Sequence, residues 1–546
     1  MQTIQKYLSV ALVSLLFALF GNFHVLLAHH DVPVPDGPSV ASFPFADNFE
    51  SGAFAPDWST TTTNNGVTEV NGDYPHGGLK NAFIGQKVTG NATAALVLAI
   101  DLSGQSDVIL DFWWRAAGVN TYTDSGLYIS DNNGTTWTEI RALNDNSRNY
   151  SHTLINIASA ASANGLTLNS QFKIRFLFST TTLNSQANNG LVLDDLRLAT
   201  RAQEVAVFPF SQNGFEADDW PQGVFLQSGN NGVVEINGDY PHAGLKNAFI
   251  GQKVSGNAIA ALVLAIDLSG QSDVFLDFWW RATGVGTYTD NGLYISDNDG
   301  TTWTEIRTLN DNSHNYSHML INITSAASAN GLTLNNRFQI RFLFSTTTLN
   351  SQANNGLVLD DLRLTTRAQE VTVFPFPQNG FEAGDWPQGI FLQSGNNGVV
   401  EINGAYPHGG LESAFIGQKV AGNANAALIL AIDLSSQSDV FLDFWWRSTG
   451  VGTYTDNGLY ISDNDGSTWT EIRTLNSRPA SFEHVSLDLA SAASARGLTL
   501  NNRFQIRFLF STTTSSSQAN NGLVFDDLRL GTTDPISRVY LPLVRK

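Results

Sequence analysis

Three copies of one short strand place an indole between a carboxylate and a guanidinium. Asp111, Trp113 and Arg115 do so in LDFWWR, and Trp279 with Arg281 and Trp445 with Arg447 repeat the arrangement. Along a strand successive side chains alternate in direction, so Leu110, Phe112 and Trp114 share the core side while Asp111, Trp113 and Arg115 share the other. A flat indole beside charged hydrogen-bonding groups is suited to saccharide recognition, with the ring against C–H faces and the charges on hydroxyls. The alternative is that a loop or neighbouring domain covers the ring and that Asp111 pairs with Arg175 on an adjacent strand. A lone imidazole stands in each YPHGG-like turn, at His76, His242 and His408. It reads as a turn residue with a satisfied hydrogen bond.

Catalysis has less support. A hydrolase needs a positioned acid and base or an activated nucleophile. The chain has no Cys, no HExxH, no GxSxG elbow, no P-loop and no GxGxxG. Paired carboxylates for glycoside cleavage are conceivable, because a sandwich can bring together strands far apart in sequence. Three near-identical catalytic copies in one chain would be unusual, and the expectation is a non-enzyme.

The elements that position these residues repeat with them. Trp137, Trp303 and Trp469 lie 166 residues apart, as do Asp194, Asp360 and Asp526. A period this long is a domain, unlike the short units of a solenoid. Three repeats follow, at 43–200, 208–366 and 374–532, joined by linkers of about ten residues such as ATRAQEVAV. Within each, period-two runs such as FKIRFLF, separated by Gly, Asn, Asp and Ser clusters, predict short antiparallel strands. Only NIASAASANGL reads as helix, of one or two turns. The fold class expected is all-β, three tandem antiparallel β-sandwiches of jelly-roll type, arranged as beads on a string.

A net charge of −20, from 29 Lys and Arg against 49 Asp and Glu, disfavours nucleic acid and anionic membranes. Lys6 and the apolar run YLSVALVSLLFALFGNFHVLLA read as a secretory signal ending at Ala28, an uncleaved anchor being the alternative. The pair His29 and His30 is too short and too close to this segment to make a metal site. The tail 533–546 contains LPLVR, which lacks the LPxTG of a sortase signal, and its five apolar residues cannot cross a membrane. A sorting tag and a final strand are both open for it. The polar loops GVGTYTDNG, with Tyr288 and Asp290, and FSTTTLNSQANNG are further candidates for ligand contact.

The stretch SDNDGTTW, residues 296–303, fits the pattern SxDxGxTW and resembles the Asp-box hairpin of sialidases and other secreted proteins. Asn298 stands where the pattern has Asp, Gly300 supplies the positive φ, and Trp303 is expected to drop into the core. In the families that own this box it is structural, lying away from the reaction centre. The wider unit resembles bacterial extracellular jelly-roll domains similar to MAM domains and gingipain-type adhesin modules. The matching stretches are FEADDW with Glu216 and Trp220, LDFWWR, DNGLYISDNDGTTW and GLVLDDLRL, and the resemblance covers all three repeats. It implies a concanavalin- or MAM-like sandwich and a calcium site tying the first strand to the last. Carried over, the ligands are Glu50 with Asp194, Glu216 with Asp360, and Glu382 with Asp526. The other reading of the closing pair is that Asp195 and its counterparts meet Arg197 or accept backbone amides.

These readings converge on a secreted, non-catalytic, multivalent adhesion protein that binds extracellular polysaccharide or a cell-surface component, without membrane insertion of the mature chain. A structural repeat protein with no specific ligand is the first alternative, and a secreted glycan or peptide hydrolase the second.

Overall fold

The strands alternate as the sequence pattern requires, and the alternation builds two facing sheets per repeat. In the strand Phe172–Thr180, the residues Phe172, Ile174, Phe176 and Phe178 are buried while Lys173, Arg175 and Leu177 are only partly so. Phe176 meets Phe112 of the strand Ile109–Ala117 edge to face at 5.2 Å, across the interior of the sandwich. The computed structural model describes residues 39–532 except 119–124, 145–146, 182–186, 285–290, 311–313, 347–352, 451–456 and 513–518. The segment 1–28 read as a secretory signal, His29 and His30, Tyr288 and Asp290, much of the polar loop before each closing strand, and the tail 533–546 lie outside the described residues.

In the first repeat the back sheet runs Trp58–Asn64, Ala92–Asp101, Phe172–Thr180, Gly126–Ser130, Thr138–Ala142, with the short Ala41–Ser42 beside the second of these. The front sheet runs Ser151–Asn156, Ile109–Ala117, Gly190–Ala199, Asn81–Gln86, Gly66–Asn71, with Phe45–Asp47 on the closing strand. Each repeat encloses its own apolar core. The fold class is thus the antiparallel β-sandwich the sequence pattern implies. The expected helix is the single stretch Ile157–Ala163, begun by Asn156, whose side chain accepts the amide of Ser159.

The repeats are not beads on a string, because their sheets join. The edge strand Ser151–Asn156 of the first front sheet pairs antiparallel with Val224–Asn230, the edge strand of the second repeat's back sheet, with His152 opposite Leu226. The second and third repeats join in the same way, with His318 opposite Leu392. Two continuous 12-stranded sheets result. An unpaired edge is a liability for any sheet, and here each inner edge is covered by the neighbouring repeat.

Side chains fix the seam. Ser151 Oγ accepts the amide of Ser228 at 2.9 Å, and Asn149 donates to the Gly232 carbonyl at 2.7 Å. Leu154 of the first repeat and Trp303 of the second pack on Val205, Phe225, Val263 and Ala265, an apolar cluster that belongs to neither core. Leu320 and Trp469 repeat this on Val371, Phe391, Ile429 and Ala431.

The copied hairpin completes the seam. Gly300 has φ of +76°, as expected for its turn, and the Ser296 hydroxyl accepts the amide of Gly300 at 3.0 Å. Trp303 does not drop into its own core. It lies half-buried under the Arg341 guanidinium at 4.2 Å and faces the seam. Trp137 sits likewise under Arg175, so Arg175 is not the partner of Asp111. Asp299, also in the turn, accepts Arg201 of the linker at 2.5 Å, Arg337 at 2.9 Å and Asn156 of the preceding repeat at 3.0 Å. Asp465 takes Arg367, Arg503 and Asn322 in the same way. Among the described residues no repeat precedes the first one, which carries Asn133 and Gln171 where the others have the aspartate and the arginine.

Both ends of the array are polar. Phe225 and Leu226 of the seam are replaced by Ser59 and Thr60 in the first repeat, whose edge strand is exposed from Thr60 onward. At the far end Ser151, Leu154 and Asn156 become Glu483, Ser486 and Asp488. Charge on an edge strand blocks pairing, and terminal repeats of an array need a polar outer face. The double change Phe391→Ser with Leu392→Thr, which copies the free edge into the second seam, is expected to uncouple the third repeat. Each buried side chain removed is worth about 1.5–3 kcal/mol, so thermal unfolding should split into two transitions; a single unshifted transition would count against the seam.

Candidate functional site

Trp113 leaves the core side of its strand, as alternation requires, and is then closed in. His76 of the Tyr-Pro-His turn stacks on one face at 3.6 Å, and His152 of the neighbouring strand stacks on the other at 4.3 Å. Trp279 lies between His242 and His318 at 3.6 and 4.4 Å, and Trp445 between His408 and His484 at 3.9 and 4.7 Å. An indole with an imidazole on each face has no face left for a sugar ring. The expectation of a stacking platform at Trp113, Trp279 and Trp445 is therefore corrected: these rings are the filling of a stacked layer. Asp111 holds that layer by accepting His152 at 2.6 Å.

The arginines are covered as well. The guanidinium of Arg115 lies 4.7 Å from the ring of Tyr74, Arg281 lies 4.6 Å from Tyr240, and Arg447 lies 4.5 Å from Tyr406. Burial lowers the pKa of Arg115 and Arg281 from its usual value. What each repeat shows to solvent here is its tyrosine and the leucine of the same turn, Leu79, Leu245 or Leu411, which is at least 75% exposed.

The turn over the indole is held by three carboxylates. The closing strand is irregular between Asp194 and Arg197, and Asp195 has φ of +45°. This bulge turns two consecutive aspartates toward one turn, which regular alternation would forbid. Asp194, fully buried, accepts the amide of His76 at 2.8 Å, and Asp195 meets His76 Nδ1 at 2.8 Å. The imidazole thus has the hydrogen bond expected of it, while Asp195 pairs with His76 and not with Arg197. Glu50 reaches the other end of the turn and accepts the amides of Leu79 and Lys80 at 2.8 and 2.7 Å. The intervening Gly78 has φ of +62°, where a side chain would be strained, and a Cβ there would fall 2.4 Å from the Glu50 carboxylate and force it to shift. Glu216 with Asp360 and Glu382 with Asp526 hold the equivalent turns.

Burial pushes Asp194 and Asp360 up to about 6, with the neighbouring aspartate adding to the shift and the amide donors opposing it. The His242 hydrogen bond keeps Asp361 below the usual carboxylate range against its burial.

The paired acids do bring the first strands to the last, as the resemblance implies for calcium, but their oxygens serve amides. Calcium takes six to eight oxygen donors. Among the described residues, no group of three or more His, Asp or Glu side chains is placed to hold a metal ion. The donor set fits a hydrogen-bonded clamp better than a calcium cage.

Between the second and third repeats an open cleft of about 740 Å³ lies beside the stacked layer. One wall is Trp279, Tyr316 and His318; the other is Trp386, Phe391 and Glu401 of the third repeat. Asn315, Gln388, Arg363 and Glu370 supply polar atoms to the same space. The Tyr316 hydroxyl donates to the carbonyl of Tyr240, and burial raises its pKa further from neutrality. Trp386 is held edge to face on Phe381 at 5.8 Å. The wall from the third repeat was not read from the sequence. Trp220 and Trp386 follow the Phe-Glu pair in the opening stretch, but only the pairing of the sheets brings Trp386 to face the preceding repeat.

No family model matches the chain, and no curated protein is a significant match to it. Among solved structures, the chain is similar to the tandem CBM22-1–CBM22-2 domain of Xyn10C from Paenibacillus barcinonensis, at 13% identity over 61% of this chain and 100% of that one, with a TM-score of 0.22. TmCBM61 in complex with β-1,4-galactotriose matches at 16% identity over 28% of this chain and 94% of that one, with a TM-score of 0.21. An atomic structure of Sulfolobus Turreted Icosahedral Virus matches at 11% identity over 87% and 92%, also at 0.21.

Removing the buried acceptor by Asp360→Ala strands the amides it serves and should cost about 1–3 kcal/mol, measured by urea unfolding. Calcium and chelator are expected to leave the melting temperature of the wild-type chain unchanged. A rise of several degrees with calcium would restore the metal site.

Proposed function

We propose that this chain is a secreted, non-catalytic, multivalent protein that binds neutral extracellular saccharide chains in the clefts between its repeats. The observation that supports this most directly is the junction cleft, where Trp386, Tyr316 and the edge of Trp279 meet side-chain amides and paired charges. Such a mixture of aromatic rings with a few convergent polar groups is typical of small-ligand sites. The charges on its walls are largely matched, with Glu401 bonded to Lys419 at 2.6 Å and Glu370 to Arg363 at 2.5 Å. A neutral ligand therefore suits it better than an anionic one. The first junction carries the same residue types at Trp113, Tyr150, His152 and Trp220. Two weak sites held at a fixed spacing raise retention on a polymer through effective concentration.

Secretion is proposed from the residue pattern of the first 28 positions, with an extracellular or cell-surface location. Calcium has no part in the proposed site. The structural alternative, an extended surface protein with no ligand, is favoured by one observation, the continuous sheets that stiffen the array.

The full chain, tested on a panel of insoluble neutral polysaccharides, is expected to be retained, and Trp386→Ala to weaken retention about tenfold, equivalent to about 1.4 kcal/mol. Trp220→Ala should act similarly at the first junction. Folding is checked by near-ultraviolet circular dichroism, because Trp279 itself is too enclosed to serve as a clean probe. Absence of retention across the panel would move the structural alternative into first place.

A further inference from the structure

Each linker ends in a short helix whose last residue, Glu204 or Glu370, is buried against the preceding repeat. At the second junction Glu370 is 3% exposed and Asp277 is 2% exposed. Both carboxylates use the same nitrogen, Arg363 Nη2, at 2.5 and 3.2 Å. Asp277 also takes His318 Nε2 at 2.9 Å. The remaining oxygen of Glu370, Oε1, is buried and has no donor. A carboxylate oxygen in that position is costly, whereas a carboxylic acid there can donate to Asp277. The first junction repeats the cluster with Glu204, Asp111, Arg197 and His152, where Arg197 Nη2 bonds Glu204 at 2.5 Å.

We propose that the two junctions are pH-dependent latches, in which the linker glutamate docks on the sheet aspartate as a neutral acid and its ionisation releases the following repeat. Burial and the facing aspartate push Glu204 up to about 7 and Glu370 up to about 8, opposed by the arginine. Asp277 is held below its usual range, against burial, by His318, Glu370 and Arg363.

The other charges around Glu370 are already committed. Arg367 of the same helix bonds Asp465 and gives its amide to Asp273 at 3.0 Å. His242 meets Asp361 at 2.9 Å, and Glu401 meets Lys419. Of the charged groups lining the cleft, only Asp385 lies on the third-repeat side without such a pair in this cluster, and it is exposed. Among the described residues, the cation beside Glu370 is Arg363, which already serves both carboxylates through Nη2. The acids touch each other and are gripped by arginine and histidine, an arrangement suited to holding a proton and not to activating a water.

The direction follows from linkage. The docked glutamate binds its proton more tightly than the released one, whose ordinary value is 4.5. Docking is therefore strongest below that value and is lost as pH rises through the docked value. With one proton involved, the opening constant rises by at most about tenfold per pH unit between pH 5 and pH 8, then levels off.

This inference does not rest on saccharide binding, and its test uses none. The chain lacks Cys, so one dye pair can be placed across the second junction of the full chain at the exposed positions of V254C and V420C. The urea midpoint of the inter-dye distance change should fall from pH 5 to pH 8 in this chain and stay level when E370Q is added. Parallel pH profiles with and without E370Q would overturn the latch. A measurement on the wild-type chain keeps the test valid if E370Q folds poorly: infrared difference spectra taken between about pH 7 and pH 9, above the range in which Asp194 and Asp360 lose their protons, should show a protonated carboxyl lost. Absence of that band would equally overturn it.

Discussion

The unsatisfied edge of a β-sheet is the constraint from which this architecture follows. A two-sheet repeat has open edges, and each open edge presents a row of free amides and carbonyls. Here the front sheet of one repeat meets the back sheet of the next at one paired position, His152 with Leu226 and His318 with Leu392. Side chains such as Ser151 and Asn149 serve further backbone groups of the neighbouring edge. The consequence is continuity, with backbone pairing carried from repeat to repeat. The ten-residue linker then has a structural role of its own, because its arginine and glutamate are both buried at the junction. The ends of the array show the same constraint in reverse, since Ser59, Thr60, Glu483 and Asp488 occupy places that apolar or seam-bonding residues fill inside it.

Much of the repeat itself was legible in the sequence. Period-two alternation identified the core faces of the 109–117 and 172–180 strands, and both are buried as alternation requires. Local signals of this kind depend on residues close in sequence, which is why they survive without coordinates. The helix at Ile157–Ala163 and the positive φ of Gly300 belong to the same class. The joining of repeats does not, because it depends on which edge meets which edge across separate units. The differences between copies did carry the information: Asn133 against Asp299, and Gln171 against Arg337, mark which repeat has a predecessor.

The misplacement of the exposed ring has a similar cause. Alternation correctly sent Trp113 away from the core, but could not say that His76 and His152 would close over it from two directions. One imidazole comes from a turn nearly forty residues earlier and the other from a strand nearly forty residues later. The bulge at Asp194 and Asp195 was equally hidden, although it decides the roles of both acids. Two adjacent aspartates at a strand end read as a site for a cation; with the chain kinked between them they become the acceptors for a single turn.

The stacked layer, the clefts and the linker acids are parts of one construction. His318 stacks on Trp279, bonds Asp277 and lines the cleft, while Glu370 lies on the floor of the same space. A histidine caught between an indole and an aspartate has little freedom to move, and a glutamate held by the same aspartate inherits that rigidity. Ligand binding of the kind proposed for the cleft would therefore draw on the same side chains as the proposed docking of the linker. Since any ligand that prefers the docked junction must by linkage also stabilise it, occupancy of the cleft would strengthen the attachment of the third repeat. A chain anchored along a polymer would then become stiffer by being bound, with no change in the fold of any single repeat.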